Sequence, residues 1–256
     1  MNDVDPRTAG RSYQTFRKEE MQAIINEAHR LGVKVAAHAS TAAAWIALRE
    51  MSPTVATIEH GYEASELFER GDEESDSPNE HLPVRSTGKP TWVPTLATYY
   101  TVGQTNGVWE RAAKGFKAVL SGAPQEELDI ACGGDTGVFP HGENALEMKM
   151  MVRLGADWRQ VLRWATLGGW ECIRSVHWEG KEGIERLRRV EDLREDVRVV
   201  GDNEVPFGAI RKGFAADIIA TNGDLEKDFE VAVDKSSISF VMKGGRVYKS
   251  RGRELA

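Results

Sequence analysis

Three strand-like stretches of the chain each close on a side chain able to bind a metal: His38 ends VKVAAHA, His60 ends VATIEHG, and Asp135 ends LDIACGGD. Two imidazoles and a carboxylate can hold zinc or another divalent ion while leaving a position open for water, whose pKa the metal lowers toward neutrality. Either histidine taken alone would more often be a hydrogen-bonded core or rim residue. Three strand ends together point to one hydrolytic metal centre, because all strands of a parallel α/β barrel end at the same mouth. Each candidate is followed by small or turn-forming residues (Ala39 and Ser40, Gly61, Thr136 and Gly137), as where a strand passes into a βα loop.

The elements that must carry these groups are legible as alternating helices and strands. Over 16–31 the residues Met21, Ile24, Ile25, Ala28 and Leu31 recur at helical spacing, with Thr15 placed to cap the start and Gly32 to end the last turn. The strand VKVAAHA follows directly. A second helix is predicted over 41–50, broken by Pro53, before VATIEHG supplies the next strand, so the spacing suits parallel strands joined by helical crossovers. A short helical piece is predicted over 63–70, a strand over 92–99, a helix over 109–120 and a strand over 128–134, which gives four βα-type units. Two further helices are predicted over 143–154 and 158–167, with Gly155 between them.

Three regions differ in character. Residues 71–90, GDEESDSPNEHLPVRSTGKP, are too polar and too rich in turn formers to pack and are expected to be a mobile surface insertion. The stretch 177–207 is dominated by charge and reads as a helical surface excursion. From 208 onward, strand-like runs over 208–220 and 239–248, separated by turns at Asn222-Gly223 and Gly244-Gly245, suggest a small β appendage. The expected organisation is therefore 1–176, 177–207 and 208–256.

A length of 256 residues suits one large domain or a medium domain with an appendage. The longest apolar runs fall far short of the roughly 20 residues that span a bilayer, so no membrane association is expected. A polar N-terminus of mixed charge and two cysteines, Cys132 and Cys172, in unrelated contexts make reduced thiols and a cytoplasmic location the default. The formal charge of −7 disfavours an extended phosphate-binding surface, and the basic cluster at 186–189 is followed at once by Glu191, Asp192 and Glu195. Nucleic acid is not an expected partner. GGDTG lacks both the G-x-G-x-x-G spacing and the P-loop lysine, which argues against a nucleotide site. His29, His81 and His177 lie in polar or charged contexts and read as surface residues. Tyr99 and Tyr100 could floor a substrate pocket, although aromatics at such a rim more often pack.

The stretches EAHRLGVKVAAHA, TIEHG, WVPTLATY, GGDTGVFPHGENALEMKMMVRLG, ATLGGWECI, GAIRKGFAADIIA and VMKGGRVYK occur in the order found in metal-dependent hydrolases of the amidohydrolase superfamily. The chain resembles the C-terminal half to two-thirds of such an enzyme, in the branch with imidazolonepropionase-like and prolidase-like members. The resemblance implies an α/β fold: part of a (β/α)8 barrel, strands five to eight, with part of a small β-sandwich. It matches His38 and His60 to two histidines binding the more exposed metal, and Asp135 to the aspartate that binds the other metal and handles the proton of the attacking water. His141, in VFPHG, matches a position near the substrate and is either a substrate contact or an ordinary loop histidine.

Two marks of that family are not in place. The chain has no H-x-H pair, and no lysine at the end of an upstream strand to bridge two metals. Up to half of the barrel and part of the sandwich are expected to be missing, and the unpaired outer strand edges favour a homo-oligomer. Two readings stay open. One is a metal-dependent hydrolase of amide, cyclic-amide or dipeptide-like small molecules, with zinc as the expected ion. The other is a non-catalytic remnant that binds metal or a partner.

Overall fold

A computed structural model describes residues 2–4, 12–61, 90–105, 107–122, 129–190 and 205–255. The predicted helix over 63–70 and the insertion over 71–90, Pro90 apart, lie outside the described residues. The chain divides into two units, Met1–Phe139 and Pro140–Ala256.

The first unit opens with a short antiparallel pair, β1 (Asn2–Val4) and β2 (Ser12–Gln14). Helix α1 (Lys18–Arg30) follows, capped at Arg17, two residues later than the expected cap at Thr15. Instead the backbone N–H of Arg17 donates to Glu20 Oε2 at 2.8 Å, and the acids Glu19 and Glu20 in the first turn suit the positive end of the helix. Strand β3 (Ala36–Ala39), helix α2 (Ala42–Arg49) and strand β4 (Thr57–His60) form a βαβ unit. Thr41 caps α2 by accepting from the N–H of Ala44.

Strand β5 (Thr91–Val93) is shorter than the apolar run 92–99 suggests. Pro94 cannot donate to a ladder, so the strand stops there and Leu96–Val102 wind into helix α3. Helix α4 (Val108–Gly122) and the two-residue strand β6 (Asp129–Ile130) complete the unit. The sheet order is β3-β4-β5-β6, all parallel. Its core holds Trp45, Ile58, Trp92, Leu96 and Phe116, all fully buried, with Trp45 edge-on to Trp92 at 5.4 Å between ring centroids. Burial of each such side chain stabilises by about 1.5–3 kcal/mol.

The second unit contains α5 (Ala145–Arg153), α6 (Trp158–Ala165), α7 (Leu167–Ile173), a 3-10 turn (Val176–Trp178) and α8 (Gly180–Arg188). Asp157 caps α6 through the N–H groups of Arg159 and Gln160. The charged stretch after 177 is not wholly superficial: Trp178 and Val190 are buried and pack with Trp170. Farther on come β7 (Ile218–Thr221), α9 (Phe229–Ala232), β8 (Ile238–Lys243), β9 (Arg246–Ser250) and β10 (Arg253–Glu254). They form an antiparallel sheet ordered β10-β9-β8-β7. The expected strand over 208–220 is confined to its last residues, since 208–217 form turns and irregular backbone. The described fold is thus mixed α/β, with a four-stranded parallel sheet, a separate four-stranded antiparallel sheet and the short β1–β2 pair. No described helix is long and apolar enough to cross a membrane.

Candidate metal centre

His38 is the penultimate residue of β3 and His60 the last of β4, and parallel register brings those strand ends together. In the β3–β4 ladder His38 is the partner of Glu59, and Ala39 that of His60. Ladder partners share a face, so a regular strand would set His60 beside fully buried Ala39 rather than beside His38. The backbone of His60 is left-handed, however (φ 74°), and leaves the regular strand path. The two imidazole centroids lie 4.2 Å apart with planes tilted by 59°.

Three of the four described non-glycine residues with positive φ lie at this edge of the sheet: His60, Thr95 (52°) after β5, and Asp135 (55°) after β6. Such conformations cost on the order of 1–3 kcal/mol each and gather where surrounding structure holds a site. The surroundings are visible here. Trp92 Nε1 donates to the His60 carbonyl at 2.6 Å, and His60 Nδ1 lies 2.8 Å from Thr95 Oγ1. Tyr99 meets the His60 ring edge-on at 6.1 Å. The Thr98 hydroxyl is 2.8 Å from the carbonyl oxygen of Gly134 and 3.1 Å from that of Asp135, so α3 also fixes the loop carrying the carboxylate. The backbone packs closely there: a Cβ at Gly133 would stand 2.5 Å from Val93 Cγ1 and one at Gly134 2.8 Å from Phe139 Cζ, so a side chain at either position would force its neighbour to shift.

Electrostatics couple the groups. Burial lowers the pKa of His60 to about 4, with the neighbouring His38 adding to the effect and the Asp135 carboxylate opposing it. Burial also lowers His38, again with Asp135 opposing. Burial raises Glu59, the Thr57 hydroxyl that donates to it opposes this, and the like charge of Asp135 adds to it. The solvent-exposed Asp135 carboxylate therefore acts on His38, Glu59 and His60 together. His141 is exposed in a turn of the second unit.

A divalent metal needs deprotonated ligands, and two imidazoles kept neutral by burial meet that need. His38 Nε2 contacts Ser40 Oγ at 3.2 Å, while the Nδ1 contact of His60 is the kind of outer partner that orients a ligating ring. Yet among the described residues no three His, Cys, Asp or Glu side chains are grouped closely enough to hold a metal ion. The residues present fit as a pair of ligands and do not complete a centre.

Thr95, Thr98 and Glu59 escape the strand-end pattern in the sequence, whereas Tyr99 is a candidate pocket residue from the sequence and packs edge-on against the His60 ring. The one local signal for the two threonines is their helical spacing with Tyr99 in PTLATYY, directly after a proline.

No protein-family model matches the chain, and no curated protein matches it. Its fold is similar to solved structures. One is a Xaa-Pro dipeptidase with bound methionine in the active site (22% identity, TM-score 0.60, 92% of this chain and 49% of that one). Another is A. niger ochratoxinase (20%, 0.62, 93% and 46%). A third is a prolidase complexed with N-methylphosphonate-L-proline (19%, 0.59, 92% and 50%). The chain shares the fold of these structures and spans about half their length.

Proposed function

We propose that the chain is part of a metal-dependent hydrolase of carbon–nitrogen bonds in small molecules of the amide, cyclic-amide or dipeptide class, working in the cytoplasm. In this reading β3 to β6 are strands five to eight of a barrel, and 208–256 belong to a small β-sandwich. The observation that carries it is the pair of neutral imidazoles 4.2 Å apart at the C-terminal edge of a parallel sheet, under the field of Asp135. Similarity of fold to prolidase and ochratoxinase structures supports it.

His38 and His60 would hold a divalent ion, zinc in the first instance, and Asp135 would hold its partner ion. When bound, the metal supplies polarisation of the scissile carbonyl and a lowered pKa for water. Asp135, exposed and ordered through the Thr98 contacts to its loop, accepts a proton from water and returns it to the leaving amine. Tyr99 meets the His60 ring edge-on and restrains it on that side.

The absence of a three-donor group among the described residues favours a second reading, a non-catalytic metal-binding or partner-binding chain. Zinc-supplemented protein assayed against Xaa-Pro dipeptides and N-acyl amino acids separates the two. The first reading expects turnover that falls about 10²–10⁴-fold in Asp135→Asn. Zinc binding by the native chain with no turnover on either substrate class would select the second.

A further inference from the structure

Two threonines occupy N-cap positions in the first unit, and they behave differently. Thr41, with extended backbone (φ −105°, ψ 152°), accepts from Ala44 N–H at 3.2 Å, as a threonine cap should. Thr95, at the start of α3, makes no capping bond. Its backbone is left-handed (φ 52°, ψ 44°), a conformation that β-branched residues avoid, and its hydroxyl lies 2.8 Å from His60 Nδ1 instead. Thr95 is 3% exposed, so water does not compete for that contact. A forfeited cap and a strained backbone at one residue need a common cause, and the contact with His60, 35 positions away, supplies it.

We infer that Thr95 is a positioning residue that locks the His60 ring in one orientation and one tautomer, with Nδ1 engaged and Nε2 presented to a ligand. A hydroxyl both donates and accepts, but in either role it selects which ring nitrogen carries the proton. Tyr99, edge-on to the ring, restrains its tilt without distinguishing the nitrogens. The inference takes from the proposed function only the idea that His60 meets a ligand. Its test needs neither metal nor substrate, so a failed activity assay leaves it standing.

The test is long-range ¹⁵N–¹H correlation spectroscopy of the metal-free protein near pH 8, where the ring is neutral, with His60 assigned by loss of its signals in His60→Gln. One tautomer should dominate in the native chain. Thr95→Val removes the hydroxyl at nearly constant shape, and Thr95→Gly removes it while relieving the left-handed strain, so at least one of the two should fold. In each the tautomer ratio should shift by roughly three- to tenfold, the equivalent of one net hydrogen bond. Thr95→Ser should restore the native ratio. Unchanged His60 nitrogen shifts in a folded Val or Gly variant would overturn the inference, as would a native ring already divided between tautomers.

Discussion

The ring of His60 is uncharged at neutral pH, because burial holds its pKa at about 4 against an ordinary 6.5. As pH falls through 6.5 the unfolded chain takes up a proton there, while the folded protein takes none until about 4. Between these values the unfolded state binds more protons, so folding stability declines on acidification across that window and is fully present above it. His38, lowered for the same principal reason, acts in the same direction. The expected outcome is a urea midpoint that drops from pH 6.5 to 4, with a shallower drop in His60→Gln. An unchanged slope in that variant would place the titration elsewhere.

At the scale of elements, buried indoles packed against the end of β4 fix the backbone at His60. Gly61 follows His60 with φ 77°, and a Cβ there would stand 2.4 Å from Nε1 of fully buried Trp45 and 3.1 Å from Nε1 of Trp92. Trp92 is itself bonded to the His60 carbonyl. A Gly61→Ala substitution therefore combines a left-handed backbone with overpacking against two indoles. It should cost about 2–4 kcal/mol, read as a lower denaturation midpoint at constant m-value. Gly155→Ala, at φ 108° with no atom near its Cβ position, adds only the backbone strain and should cost less. Helix α3 has a matching role: Thr95 and Tyr99 act on His60 while Thr98 secures the Asp135 loop, all from one helical face.

For the whole molecule the decisive quantity is the number of donors. Two neutral imidazoles make a pair, and among the described residues no third His, Cys, Asp or Glu side chain is grouped with them closely enough to hold a metal ion. A pair binds a divalent ion far less tightly than a three-residue site with a supporting outer shell. Elemental analysis after dialysis against metal-free buffer should find clearly less than one zinc per chain. Retention of a full equivalent would show that a completed centre forms.

How much of this was legible in the sequence varies with the range of the interactions involved. Local periodicity and punctuation suffice for α1, α2 and α4 to α6 and for the parallel strands ending at His38 and His60, because helical spacing, Gly32, Pro53 and Gly155 act within a few residues. The same local logic misreads 92–99, where an apolar run is compatible with strand or helix and Pro94 alone marks the change. Residue types announce the left-handed backbone only weakly at His60 and Asp135, whose types visit it more than most, and not at all at β-branched Thr95. That conformation is held by contacts from other elements: Trp92 on the His60 carbonyl, and Thr98 on the Asp135 loop. Sequence thus determined the kinds of donor and the strands that carry them. Tertiary structure alone decided that His60 meets His38, that Thr95 engages its ring, and that Asp135 acts on both, because those interactions join positions dozens of residues apart.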